Sequence, residues 1–169
     1  MIDNCLHEYP DDRLAELIKE ADPKIVGIFA ATPMIRSAIR AMEIARDSKS
    51  GVFVAMGGPH PSADWKSMIE EYGVDAVGIG ECDTSFPELV KSVLSGNRNL
   101  AGFRGTAYRN ASNRAVLNDP CSYVENLDDL PFPAFHLMQV EKYFSKGHVW
   151  GVVQKEKRNL PIMATRGCP

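Results

Sequence analysis

Apolar positions along the first hundred residues alternate between two rhythms. In "DDRLAELIKEA" Leu14, Leu17, Ile18 and Ala21 fall at helical spacing, which predicts a helix. "KIVGIFA" (Lys24 to Ala30) is a short continuous apolar run, rich in β-branched residues and preceded by Asp22-Pro23, and it predicts a buried parallel strand. "MIRSAIRAMEIARDS" returns to helical spacing, with Ile35, Ala38, Ile39, Met42 and Ala45 on one face. "GVFVAMGG" predicts a second buried strand, closed by paired glycines. "SADWKSMIEEYG" sets Trp65, Met68, Ile69 and Tyr72 on one face, with Ser62 expected as N-cap and Gly73 at the C-terminus. "VDAVGIGE" predicts a third buried strand, and "SFPELVKSVLSG" opens with Ser85 and Glu88 at capping-box spacing and closes at Gly96. Strand alternating with helix implies a parallel sheet with right-handed crossovers.

The rhythm changes near residue 100. "GFRGTAYRNASNRAVLNDP" predicts a hairpin, with "TAYR" and "AVL" as strands and "NASN" as the turn. "LDDLPFPAFHLM" is Pro-rich and irregular, a linker or docking segment. "HVWGVVQ" and "LPIMAT" are two further strand candidates, separated by "KEKR", which reads as a solvated turn ahead of a basic patch.

Composition narrows the class. With 44% hydrophobic and 24% charged residues the chain is typical of a globular protein, and a net charge of −3 gives no electrostatic case for nucleic acid. No run approaches the ~18 apolar residues of a membrane span, and "MIDNCLHEYPDD" is too acidic and polar for a signal peptide. Cys5, Cys82, Cys121 and Cys168 are scattered, with no CxxC pair to suggest zinc, so reduced thiols in a cytoplasm are the simplest reading.

In an open parallel sheet, ligands bind beyond the carboxyl ends of the strands. There the chain places "ATPM", "GGPHPS" and "GECDTS". Each residue has a bland reading and a functional one. Gly57 and Gly58 suit an ordinary turn, or leave backbone bare for a flat ring. His60 is a turn histidine or a ligand contact. Glu81 can favour the N-terminus of the next helix or touch a ligand. Thr32 is expected as an N-cap with Pro33 at the first helical position, and its hydroxyl can also face the cleft.

Together "GIFAATPMIRSAIRAMEIAR", "VFVAMGGPHPSADW" and "VDAVGIGECDTSFPELV" resemble the cobalamin-binding domain of radical S-adenosylmethionine enzymes. "DDLPFPAFHLM" resembles that family's linker, and "ATRGCP" resembles the start of its CxxxCxxC cluster motif. The resemblance implies a flavodoxin-like, Rossmann-like α/β fold with cobalamin across the strand ends and its nucleotide tail beside the sheet. It implies cofactor contacts at Thr32, Pro33 and Met34, at Gly57, Gly58, Pro59 and His60, and at Gly80 and Glu81, with Cys168 as one ligand of a [4Fe-4S] cluster. The corresponding domains would be 1–98 for cobalamin, 99–145 for hairpin and linker, and 146–169 for the start of the radical barrel, the domain's partner in the same parent chain. No membrane or nucleic-acid partner is expected. The DxHxxG loop that supplies an axial histidine elsewhere is absent, and one cysteine cannot hold a cluster that takes three thiolates. The activity implied for this chain is therefore cofactor binding. In the parent enzyme, S-adenosylmethionine would be cleaved reductively for methyl transfer or an oxidative cyclisation.

The rivals are a nucleotide- or flavin-binding α/β module and a cofactor-free interaction domain. No GxGxxG or GxxxxGK[ST] occurs, and no acidic pair follows "KIVGIFA". Aligned by its loops, "KIVGIFA" is the third strand of a flavodoxin-like sheet and "MID" the end of the second. The first strand–helix unit is then absent, and the chain is expected to be an N-terminally truncated fragment that ends inside the cluster motif.

Overall fold

The computed structural model describes residues 1–146 with Arg158 and Arg166; the expected strands "HVWGVVQ" and "LPIMAT" lie outside the described residues. Its elements in chain order are α1 (Asn4–His7), α2 (Asp11–Ala21), β1 (Ile25–Phe29), α3 (Ile35–Ser48), β2 (Phe53–Gly57), α4 (Pro59–Ala63), α5 (Trp65–Glu70), β3 (Ala76–Gly78), α6 (Ser85–Leu94), β4 (Thr106–Arg109), β5 (Ala115–Leu117) and α7 (Val140–Lys146). Two compact units divide the chain: Pro10–Leu130, and Met1–Tyr9 with the described residues from Pro131 on.

The larger unit is a flavodoxin-like α/β layer structure. Its five strands run in the order β1-β2-β3-β4-β5. β1, β2 and β3 are parallel, and β4 and β5 form the expected hairpin, antiparallel to β3 and to each other. The hairpin continues the same sheet: β4 buries Ala107 and Tyr108 with the rest of the core, whereas β5 at the edge is only partly covered.

The two sheet faces are covered unequally. Leu14 and Ile18 of α2, Met42 and Ala45 of α3, and Met68 and Ile69 of α5 pack with Val54, Met56, Val77 and Ala107 on one face. On the other face Leu89 and Val93 of α6, with Leu100, pack on Phe53, Ala55, Ala76 and Tyr108. The alternation of the strands supplies both sets, since successive side chains point to opposite faces.

Three sequence expectations change. β1 is not buried on both faces: Gly27 and Phe29 are exposed, because the strand stands at the edge of the sheet and α6 covers only part of it. Met1–Asp3 form no strand, and β2 is the only strand paired with β1 among the described residues. Ser62 lies inside α4 and donates to Gly78 O at 3.1 Å, and α6 has no side-chain cap bond.

A half-buried carboxylate ties β2 to β3. Asp75 Oδ2 accepts from Val54 N at 2.8 Å and lies 3.1 Å from Arg46 Nη2 of α3, while Asp75 N donates to Val54 O at 3.0 Å. In the smaller unit, Tyr143 donates to the Asp3 carboxylate, and His7 Nε2 sits 3.2 Å from Gln139 Oε1.

Asp75→Ala leaves the Val54 amide without its acceptor, while Arg46 keeps Gly73 O, so it should cost about 1–3 kcal/mol of stability in a urea titration. Asp75→Asn, which keeps an acceptor oxygen, should cost less.

Candidate functional site

Parallel strands bring the ends of β1, β2 and β3 to one edge of the sheet. Phe29 pairs with Gly57, and Ala30 N donates to Gly57 O at 2.9 Å, so the first two loops leave side by side. Thr32–Met34 make a single 3-10 turn that leads into α3, with Pro33 in its opening positions and Met34 N donating to Ala31 O at 2.9 Å. The Thr32 hydroxyl makes no cap bond; it lies 3.3 Å from His60 Nδ1. His60 N also points at Ala30 O, 3.4 Å away. The structure thus joins Thr32 and His60, two residues that the sequence left 28 apart.

The paired glycines differ in kind. Gly58 has φ +103°, and a β-carbon there would stand 2.6 Å from Ala30 O and 2.9 Å from the Phe29 ring. The chain's own backbone requires that glycine. At Gly57 nothing lies within 4 Å of the same position. Pro59 then opens α4, where its missing N–H goes unneeded.

In the third loop Gly80 has φ +73° and open space beside it, and Glu81 follows, half-buried. The sequence-expected residues of all three loops therefore lie at one end of one sheet. Cys168 lies outside the described residues. No group of three or more His, Cys, Asp or Glu among the described residues could hold a metal ion.

Beneath these loops runs a strip of nearly bare backbone on the α6 face of the sheet. The register sets Gly27 beside Ala55, Ala55 beside Ala76, and Phe29 beside Gly57. Gly78 follows Ala76 on the same face by strand alternation. Three aromatic or sulfur side chains edge the strip. Phe29 projects from the end of β1 and is 67% exposed. The Phe86 ring of α6 comes within 3.6 Å of a β-carbon position on Gly27, and Cys82 Sγ within 3.0 Å of that on Gly78. Burial pushes the Cys82 thiol up, outweighing the hydrogen bond with Ser85 that pulls it down, so it stays protonated at neutral pH. An exposed aromatic ring beside bare glycine makes an apolar surface able to take a flat group.

Sequence reasoning placed the loops but missed Phe29, Phe86 and Cys82. The available signal was the period-two row Ile25, Gly27, Phe29, which carries a gap and then a ring on one face of β1.

Residues 2–90, just over half of the chain, match the family model for the B12-binding domain. The chain belongs to that family. It is 36% identical over its whole length to "Uncharacterized methyltransferase PH0819" of Pyrococcus horikoshii, covering 35% of that protein. Against the "Anaerobic magnesium-protoporphyrin IX monomethyl ester cyclase" of Rubrivivax gelatinosus it is 27% identical, over 99% of this chain and 29% of the relative. The chain thus spans about a third of the length of these curated relatives. The solved structure of OxsB, a cobalamin-dependent S-adenosylmethionine radical enzyme with aqua-cobalamin bound, superposes with a TM-score of 0.62 at 17% identity, over 74% of this chain and 18% of that one. That likeness confirms the fold.

Gly58→Val forces a branched side chain into a left-handed backbone and against Ala30 O, so it should lower stability by about 2 kcal/mol or more. A thermal melt of the variant beside the parent checks this, and the loss should appear with no cofactor present.

Proposed function

We propose that the bare strip and the three loops above it form a cobalamin cradle. The corrin lies across Thr32, Pro33 and Met34, across Gly57, Gly58, Pro59 and His60, and against Gly80 and Glu81. The nucleotide tail runs down beside Gly57 between Phe29 and α6. One observation carries this reading: in a B12-binding domain, the open space at Gly57 coincides with a floor of Gly27, Ala55 and Gly78 that has no side chain larger than a methyl. Phe86 and Cys82 lie over Gly27 and Gly78, so the open end of the strip is at Gly57, where glycine keeps room for a ring system.

The chain's own groups have legible parts to play. The Thr32–His60 pair holds the first two loops at a fixed spacing, and Gly58 lets Pro59 and His60 turn under the ring. No cobalt ligation is assigned to His60, since it does not stand in the DxHxxG loop that supplies an axial histidine elsewhere.

In the full-length protein the domain would serve a radical S-adenosylmethionine barrel in the same chain, with Cys168 as one of three thiolates on a [4Fe-4S] cluster. Methyl transfer is the favoured chemistry, supported by the relative named as a methyltransferase at 36% identity; oxidative cyclisation is supported by the more distant cyclase. Bound cobalamin would supply a methyl-carrying cobalt for the first.

The test is retention. The full-length protein is mixed with hydroxocobalamin, FMN or ATP, desalted, and its spectrum recorded. Cobalamin alone should stay, near one per chain. Gly57→Val, whose β-carbon has no protein atom within 4 Å, should keep a melting temperature close to the parent's and lose cobalamin at least about tenfold in affinity, the effect of ~1.4 kcal/mol or more. Retention of FMN or ATP in place of cobalamin, or equal cobalamin binding by the variant, would refute the placement.

A further inference from the structure

The third loop carries a side chain that the cradle does not yet use. Cys82 follows Gly80 and Glu81, and its sulfur hangs over Gly78, one strand across from the open position at Gly57. Three carbonyl oxygens surround it: Gly80 O at 3.7 Å, Ile79 O at 3.8 Å and Gly105 O at 3.9 Å. A thiol has one weak donor, so it can satisfy one of these at a time. The other two still confine the sulfur to one place. It is half-buried and uncharged, so it presents a small polarizable surface and reacts only slowly as a nucleophile.

We infer that Cys82 Sγ is the side wall of the tail slot, in contact with the planar heteroaromatic base that ends the nucleotide tail, and that it limits the size of base the slot accepts. This rests on the cobalamin reading above. The tip of the Phe86 ring over Gly27 and the Phe29 ring beside Gly58 are the other apolar groups around this position; a sulfur at the edge of an aromatic ring is a favourable contact. Cysteine fits because of its volume. Alanine would widen the slot toward Gly105, serine would desolvate a stronger hydrogen-bonding group, and leucine would extend carbon atoms over the Gly57 floor.

Alkylation of Cys82 by N-ethylmaleimide, followed on its tryptic peptide by mass spectrometry, tests the contact in the full-length protein. Cys121, a half-buried thiol of the same unit, serves as the internal reference. Three states are compared: no ligand, cobinamide (the corrin without its nucleotide tail) and cobalamin. Cobalamin should slow alkylation of Cys82 at least about tenfold relative to Cys121, and cobinamide should leave the ratio within about twofold of the free protein. In parallel, Cys82→Leu should weaken cobalamin at least about tenfold and cobinamide by less than about twofold. Cobalamin retention without protection of Cys82, or equal protection by cobinamide, overturns this inference alone. Failure of the unaltered protein to retain cobalamin overturns the cradle, and this wall with it. If Cys82→Leu does not fold, the alkylation ratio on the unaltered protein still decides.

Discussion

The parallel ladder between β1 and β2 sets everything at the strand ends. Five paired positions run from Ile25 with Phe53 to Phe29 with Gly57, and the Ala30 amide adds a last bond to Gly57 O. A slip of one residue would turn every side chain of β1 to the other face. Gly27 and Phe29 would then enter the α2/α3 core, Val26 and Ile28 would face α6, and the first loop would no longer meet the second at Thr32 and His60. The apolar sides of the strand hold that register: Val26 and Ile28 pack on the large cluster, Ile25 on the small one.

Most of the architecture was readable before any coordinates. α2 and both hairpin strands begin and end where periodicity and turn residues put them. The helical face of α3 also holds, with Ala38, Met42 and Ala45 buried, and that of α5 holds at Met68 and Ile69, whereas Tyr72 falls beyond the helix end and is exposed. Capping failed as a guide for a common reason. Thr32 and Ser62 carry hydroxyls suited to caps, yet each finds a tertiary partner, His60 Nδ1 and Gly78 O. Local hydrogen-bonding preference yields when a neighbouring element supplies a fixed acceptor.

At the site, position after a strand was enough to find the loops. It could not separate Gly57 from Gly58, because one is open toward the cleft and the other is pinned by Ala30 O, a contact made only when the two strands pair. Nor could it find the side chains that edge the strip. Phe29, Phe86 and Cys82 come from a strand, a helix and a loop, and they converge only once α6 has chosen a face of the sheet. Reading "KIVGIFA" as buried on both sides had the same cause, since an apolar run does not say how much cover the fold provides.

The unequal layering also orders the molecule in time. Three helices share one face and knit it into a single large cluster, whereas α6 rests on the other through a smaller one. Segments with fewer buried contacts open at lower free-energy cost, ahead of global unfolding. By that rule lifting α6 costs less than separating β1, β2 and β3, and it uncovers the strip between Gly27 and Gly78 while leaving the strands paired; hydrogen exchange in α6 would report that opening.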